Sequence, residues 1–561
     1  MNKLWNEIKI FLNSKIYVML VGFVAVCAYG FTIMHYSIGM DDTAIPLYFE
    51  EGLAPYVGRW TLFVINKILP IGNFAPWVIE LLSVLMLILS ATLWCVLWRR
   101  ICEPLVNIPV WGYAFVAAIF ISCPLISEVF VFYLHNGVCI GYGITALALL
   151  CFFNSLHNRT GKKEIVLEML KSALLLCISL GLYESFVIVY IIGAIMLFFL
   201  NRILYGKKVR DNGYEKRFLP WAGRGVLVLV VALLERTIIL FVLRVMYRLD
   251  SMSVYNVKYR NLFGDIFTVD NELQMVVKRY FVKYYINAAV YLPVTVLVIA
   301  LMGIGIAAIY YGIRKKDIML PICFIAIVLL PLFMSILEGV DTRYRSAQYV
   351  PVVSAFAILL LFAFFCTHKV QKTIRVFGVS LLCILLFRQT VDMNKWFYVD
   401  YLKYQDTLRV MENIANDLRK GFDTSKPVAF RGTYKVPYEI ASEAYIDFDT
   451  WQYRAICHLT NLFDVHIKEK YYAEDTSAYV FTEMPVISTL QWGVTAFDGT
   501  SCQLINFWKM HGFDEFSCVT NLAVIEEAEN IRVEEHMPGY PQNGYIKECE
   551  NYIIINMSIA E

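Results

Sequence analysis

Eleven stretches of this chain are apolar over roughly the 20 residues that a helix needs to cross a bilayer core, and that repetition limits the fold more than any motif does. They run approximately over 17–36, 75–97, 107–124, 138–155, 165–182, 185–201, 224–246, 287–312, 318–337, 350–367 and 374–390. Only 17% of the residues are charged and 59% are hydrophobic, where an ordinary soluble domain carries about 25% charged residues. The expected fold class is therefore mainly α, a polytopic membrane bundle of about 11 transmembrane helices. Lysines precede the first apolar run, as in a signal peptide. The run is too long for one, and no small-x-small cleavage site follows, so it reads as a retained first span. Only Tyr183 and Glu184 separate the fifth and sixth runs. One long bent element is the alternative there, and it would invert everything downstream.

Lysine and arginine in short loops mark the cytoplasmic side. One face collects Lys3, Lys9 and Lys15; Arg99 and Arg100; Arg159, Lys162 and Lys163; Arg202, Lys207, Lys208 and Arg210; Arg314, Lys315 and Lys316; Lys369, Lys372 and Arg375. These clusters fall in alternate loops, as eleven spans with a cytoplasmic N-terminus require, and a merged fifth and sixth span would place the later ones outside. The opposite face then holds loops at about 37–74, 125–137, 247–286 and 338–349. It also holds everything after residue 391. In the first of these loops, Trp60, Phe63, Ile65, Ile68 and Leu69 follow Arg59 at mixed helical spacing, which suggests an interfacial helix ended by Pro70.

The organisation expected is a membrane domain over 1–390 and an extracytoplasmic domain over 391–561. The tail is long enough for one domain. It opens with a predicted helix from Tyr398 to Lys420, and Pro427–Phe430, Ala478–Phe481, Leu522–Glu526 and Tyr552–Ile555 read as strands, giving a small α+β domain. A net charge of +2 gives no reason to expect nucleic acid. The 14 cysteines lie mostly in apolar runs, and there is no C-x-x-C or H-E-x-x-H, so no zinc or thiol-redox site is signalled. The pairing of Cys457, Cys502, Cys518 and Cys549 in the polar tail stays open.

Three features bear on chemistry. Asp41 and Asp42 sit at the outer mouth of the first span. Adjacent carboxylates near hydrocarbon are costly unless solvated or paired, so they are either a solvated span end or a general base for a hydroxyl. Arg59, Arg343, Arg345, Lys278, Arg279 and Lys283 are basic residues on the outer face, against the charge bias. Arginine offers a planar fork suited to phosphate; the alternative is local pairing with Glu338 and Asp341 or attraction to headgroups. Glu128, His135, Asn136, Tyr183 and Glu184 lie at outer span ends and are solvated or line a cavity with the aspartates. Asp447-Phe448-Asp449 has the D-x-D form of a nucleotide-sugar metal site, on a face where no nucleotide sugar is expected. Asn158-Arg159-Thr160 fits an N-glycosylation pattern in an inward loop.

The order of these motifs resembles the GT-C fold of membrane glycosyltransferases, and within it the glucosyl transferase family of serotype-converting bacterial enzymes (the Gtr type). The similarity is carried by Tyr36-Ser-Ile-Gly-Met-Asp41-Asp42, Gly58-Arg59-Trp60, Leu182-Tyr183-Glu184-Ser185, the Arg343/Arg345 loop and the tail segment Met537-Pro-Gly-Tyr-Pro-Gln-Asn-Gly544. It implies transfer of glucose or another hexose from a polyprenyl-phosphate carrier to a cell-envelope glycan, such as O-antigen or teichoic acid. Transfer would take place on the outer face of a bacterial plasma membrane, with inversion. In that scheme Asp41 or Asp42 is the base, and Arg343, Arg345 and Arg59 hold the donor phosphate. No cofactor is expected, and the sequence leaves a divalent metal open. The rival classes are a glycolipid transporter or flippase, and an envelope polymerase or ligase using diphosphate-linked oligosaccharides. Transporters often carry internal duplication and midplane charges; no duplication is found here.

Overall fold

The computed structural model describes residues 2–43, 53–68, 76–131, 137–157, 161–205, 217–247, 292–338, 344–368, 370–434 and 499–558, together with 45, 49, 215, 276–277, 279–281, 283–285, 458 and 490. The first 390 residues supply helices α1 (Asn2–Leu12), α2 (Lys15–Met34), α3 (Met40–Thr43), α4 (Leu53–Tyr56), α5 (Trp60–Ile68), α6 (Pro76–Cys102), α7 (Val110–Ile121), α8 (Ser127–Phe130), α9 (Gly137–Ser155), α10 (Lys162–Leu180), α11 (Phe186–Tyr205), α12 (Phe218–Tyr247), α13 (Leu292–Lys315), α14 (Met319–Glu338) and α15 (Tyr349–Thr367). α16 (Lys372–Gly421) then runs into the tail. Each of the eleven predicted spans falls on one of these helices. Among the described residues, nine are long and apolar enough to cross a membrane, and ten if the bent pair Val110–Ile121 and Pro124–Phe130 is one span. The eleventh, α10, carries Lys162, Lys163, Glu164, Glu168 and Lys171 in its first half, which dilutes its apolar character. The protein is a polytopic helical membrane protein with a small α+β C-terminal part.

Large apolar side chains cover the outside of this bundle: Leu234, Ile238 and Phe241 on α12 are all more than half exposed. Lipid supplies no hydrophobic drive between helices, so small and polar side chains tie them together. Ser90 Oγ donates to the Cys139 carbonyl at 2.7 Å, the Thr145 and Ser179 hydroxyls meet at 2.7 Å, and Ser172 Oγ donates to the Ala148 carbonyl at 2.8 Å. These contacts also give direction. Thr145 faces Ser179 and Ala148 faces Ser172, so α10 runs antiparallel to α9. Gly141 lies against Phe186, and Gly193 against Leu149, so α11 runs parallel to α9. The chain therefore reverses at Tyr183 and Glu184, and the fifth and sixth runs are two separate elements.

The basic loops gather at one end. Arg100 pairs with Glu7 at 2.6 Å and donates to Asn154 Oδ1 at 3.2 Å, while Arg202 donates to Asp317 at 2.6 Å. From that end α2 rises about 30 Å at 1.5 Å per residue, with Tyr17 bonded to Thr92 at 2.9 Å and Thr32 to Glu80 at 3.1 Å. It delivers Asp41 and Asp42 to the opposite end.

α16 is one helix of 50 residues, so the last predicted span and the predicted tail helix form a single rod. Its final turns cover a three-stranded sheet of order β1-β3-β2, with β1 (Val428–Arg431) parallel to β3 (Ile553–Asn556) and β2 (Ile546–Glu548) antiparallel to it. The register sets Val428 opposite Ile553 and Phe430 opposite Ile555. Alternation along a strand sends successive side chains to opposite faces. Val428, Phe430, Ile553 and Ile555 thus pack on α16 and α17 (Cys502–Met510). Ala429 and Ile554 pack on α18 (Leu522–Glu534). The strands predicted at Pro427–Phe430 and Tyr552–Ile555 correspond to β1 and β3. The one predicted at Leu522–Glu526 is instead the start of α18. Asn521 caps it by accepting from the Ala523 N–H at 3.0 Å, a bond that commits the following residues to a helix. Ala478–Phe481 lies outside the described residues.

Candidate active site

The loops at the end of the bundle away from the basic clusters converge on Arg345. The α7 helix stops at Ile121, and Pro124 opens a short turn that bends the path by 44°. That bend places Glu128 in a buried position, 4% exposed, rather than in a solvated loop. Its Oε2 accepts the Arg345 backbone N–H at 2.8 Å and so fixes the Tyr344–Ser346 turn. Gln348 closes that turn, accepting from Ser185 Oγ at 2.7 Å and donating to the Arg345 carbonyl at 3.4 Å. Arg345 is half-buried. Burial alone pulls its guanidinium down, but Tyr183, Asp41 and Glu128 outweigh that and hold its pKa above the usual value, with Arg59 opposing them. One guanidinium thus stands within electrostatic reach of four of the residues singled out in the sequence.

Asp41 and Asp42 lie in the four-residue α3 and are 7% and 0% exposed. Asp42 Oδ2 accepts the Gly39 N–H at 3.0 Å, which curls the chain back after the first span. Arg59 reaches the same region through its neighbours. The Thr61 N–H donates to the Gly181 carbonyl at 3.0 Å and Thr61 Oγ1 to the Ile178 carbonyl at 2.8 Å, docking α5 on the corner between α10 and α11. The Arg59 guanidinium then lies 4.9 Å from the Tyr183 ring centre, within cation–π range. Gly58 just before it has φ +92°, and a Cβ there would collide with Arg236 and Glu184. The left-handed backbone is what favours glycine here, since the two side-chain ends could shift to make room.

Glu184 is turned toward α12, where Arg236 pairs with it at 3.4 Å. Lys283 is buried, with Nζ 4.7 Å from the Tyr344 ring centre. Arg279 is half-buried, and its Nε has no hydrogen-bond partner among the described residues. His135, Asn136, Lys278 and Arg343 lie outside the described residues, as do Asp447, Asp449 and Asn158. The segment Met537–Gly544 serves the tail's own fold: Asn556 Nδ2 donates to the Met537 carbonyl at 2.7 Å and to that of Pro538 at 3.1 Å. Among the described residues no group of three or more His, Cys, Asp or Glu is placed to hold a metal ion.

Arg236 and Arg244 lie inside the run assigned to the seventh span and are not among the candidates taken from the sequence. Arg244 Nη2 donates to the Tyr56 carbonyl at 3.5 Å and the Arg236 guanidinium lies against Gly58, so both arginines face the first loop. Charges inside an apolar run are a signal for function in their own right, and would have found them. Nothing local in the sequence points to Asp400 or Asn506, which reach the acidic turn from the tail.

The arrangement has a carboxylate pair, a guanidinium fork and an aromatic ring at one rim of a membrane bundle, a set able to take a proton from a hydroxyl and to hold an anion. No curated protein and no solved structure matches the chain. The family model for glucosyl transferase GtrII matches residues 28–362. That stretch is more than half of the chain and contains Asp41, Asp42, Arg59, Glu128, Tyr183 and Arg345, and the chain therefore belongs to the GtrII glucosyl transferase family.

Proposed function

We propose that this glucosyltransferase takes its glucosyl unit from a polyprenyl-phosphate carrier and passes it to a hydroxyl of a cell-envelope glycan, on the outer face of a bacterial plasma membrane. The fold is of the GT-C kind, with 1–390 as the catalytic membrane domain and 391–561 as an extracytoplasmic one. Asp41 or Asp42 removes the acceptor proton. The oxygen freed of it attacks the anomeric carbon, the bond from that carbon to the phosphate oxygen breaks, and the phosphate departs with the electron pair. One displacement inverts the anomeric centre. Arg345, assisted by Arg59, balances the charge on the departing phosphate. The supporting observation is the Glu128 bond to the Arg345 N–H and the stacking of Arg59 on Tyr183 at the rim of the bundle, with Asp41 within electrostatic reach of the Arg345 guanidinium. This is the level at which a lipid-borne phosphate meets a water-borne acceptor.

The direct test is purified protein in liposomes with envelope glycan from a strain lacking the gene. Glucosyl transfer is expected from a polyprenyl-phosphate glucose, and not from UDP-glucose or a diphosphate-linked oligosaccharide. Transfer from either of the latter, or donor flipping without transfer, overturns the reading.

The Cys502–Cys518 disulfide suits an oxidising compartment and supports a tail outside the cytoplasm. Reporter fusions after residues 160, 210 and 400 should accordingly read cytoplasmic, cytoplasmic and external. A cytoplasmic reading at 400 removes the tail from the acceptor's side.

A further inference from the structure

The family match ends at residue 362, yet residues beyond it hold the acidic turn from both sides. Before Asp41, the Ser37 hydroxyl donates to the Asp400 carboxylate on the extramembrane part of α16. The next side chain, Ile38, is 3% exposed within the tail's own core, alongside Tyr404, Met411, Leu504 and Phe507. After Asp42, Asn506 Nδ2 donates to the Thr43 carbonyl at 3.1 Å. Thr43 itself is fully buried. A single turn of helix has no stability of its own, because nucleating a helix is unfavourable. The direction of α3 is therefore set by what grips it.

The helix that carries Asn506 is itself held firmly. At its start Ser501 Oγ accepts the Phe430 N–H at 3.2 Å, and Arg431 donates to the Gly499 carbonyl at 2.9 Å. Cys502 is bonded to Cys518, which bridges to Val428 of β1. Trp508 Nε1 donates to the Met411 carbonyl of α16 at 2.9 Å. Asn506 thus projects from a part fixed to the sheet, and through it to the rod rising from the membrane.

We propose that Asn506 is a positioning residue of the transferase, fixing the turn that presents Asp41 and Asp42, so that the tail is one half of the catalytic unit. This rests on the reading of those aspartates as the base. A reacting group displaced by about 1 Å costs on the order of 100-fold in rate, so a contact that touches no substrate can still govern turnover.

The test uses full-length protein in liposomes with polyprenyl-phosphate glucose and envelope glycan from a gene-deleted strain. Asn506→Ala, and Asn506→Asp with the donor removed at constant size, are expected to lower kcat by about 10- to 100-fold. Donor KM and melting temperature should not change, and Asn506→Gln, which keeps the amide N–H, should recover part of the rate. Full kcat in both the Ala and Asp variants overturns the proposal. So does a loss that appears in donor KM, or that comes with a lowered melting temperature and is not relieved by Gln. The Asp41→Asn, Asp42→Asn double variant is measured alongside. If it is active, the base assignment fails. If it is inactive while Asn506→Ala is fully active, only the role of Asn506 fails.

Discussion

The protein with both Asp41→Asn and Asp42→Asn should insert normally, bind its donor and transfer no sugar at a detectable rate. Both side chains are almost wholly buried, and asparagine keeps their size, so packing is preserved while the proton acceptor is lost. Loss of a general base typically costs about 10²–10⁴-fold in rate. The single variants should differ. Asp42 spends one oxygen on the Gly39 N–H, while Asp41 stands within electrostatic reach of Arg345, which favours Asp41 as the residue whose replacement alone reaches the full loss. Asp42→Asn should give a partial defect, since an amide oxygen can still accept from Gly39. Initial rates with a radiolabelled donor, together with a donor-binding measurement, check this. A normal rate in the double variant would show that the first loop is not the catalytic loop and would move attention to Glu128 and Glu184.

Arg345→Ala should produce the second largest loss. Removing one group that stabilises developing charge costs about 10²–10³-fold in kcat in a well-studied case, and here the charge is that of a departing phosphate. Arg345→Lys should recover only part of it, because the ammonium keeps the charge but loses the planar two-pronged geometry. The backbone of the turn should survive either change, since Glu128 grips the Arg345 N–H and not its side chain. Turnover of the two variants at saturating donor is the measurement. Full activity in Arg345→Ala would transfer the phosphate-binding role to Arg59 or to the α12 arginines, Arg236 first.

How much of this was legible in the sequence follows from the range of each interaction. The spans were readable because lipid solvation acts on each apolar run separately, and the acidic pair and Gly58-Arg59-Trp60 because they are short motifs. Glu128 was visible as a polar residue at an outer span end. Its burial was not, since that depends on the bend that Pro124 opens. The start of α18 reads as a strand in sequence because Leu-Ala-Val-Ile is apolar and β-compatible, and only the Asn521 cap marks it as a helix. The grip of Asn506 on Thr43 joins residues 463 positions apart, and no periodicity or spacing rule reaches that far.

α16 is continuous over all of its 50 residues. A flexible linker would let the tail wander over the membrane surface, but an unbroken helical ladder locks its azimuth to that of the last span. Each added or deleted residue in such a rod turns what lies beyond it by about 100° and shifts it by about 1.5 Å. The spacing between the membrane and the Asn506 helix is thus written as helical phase. Over evolutionary time this rod should tolerate substitutions on its lipid-facing side far more readily than any change in its length.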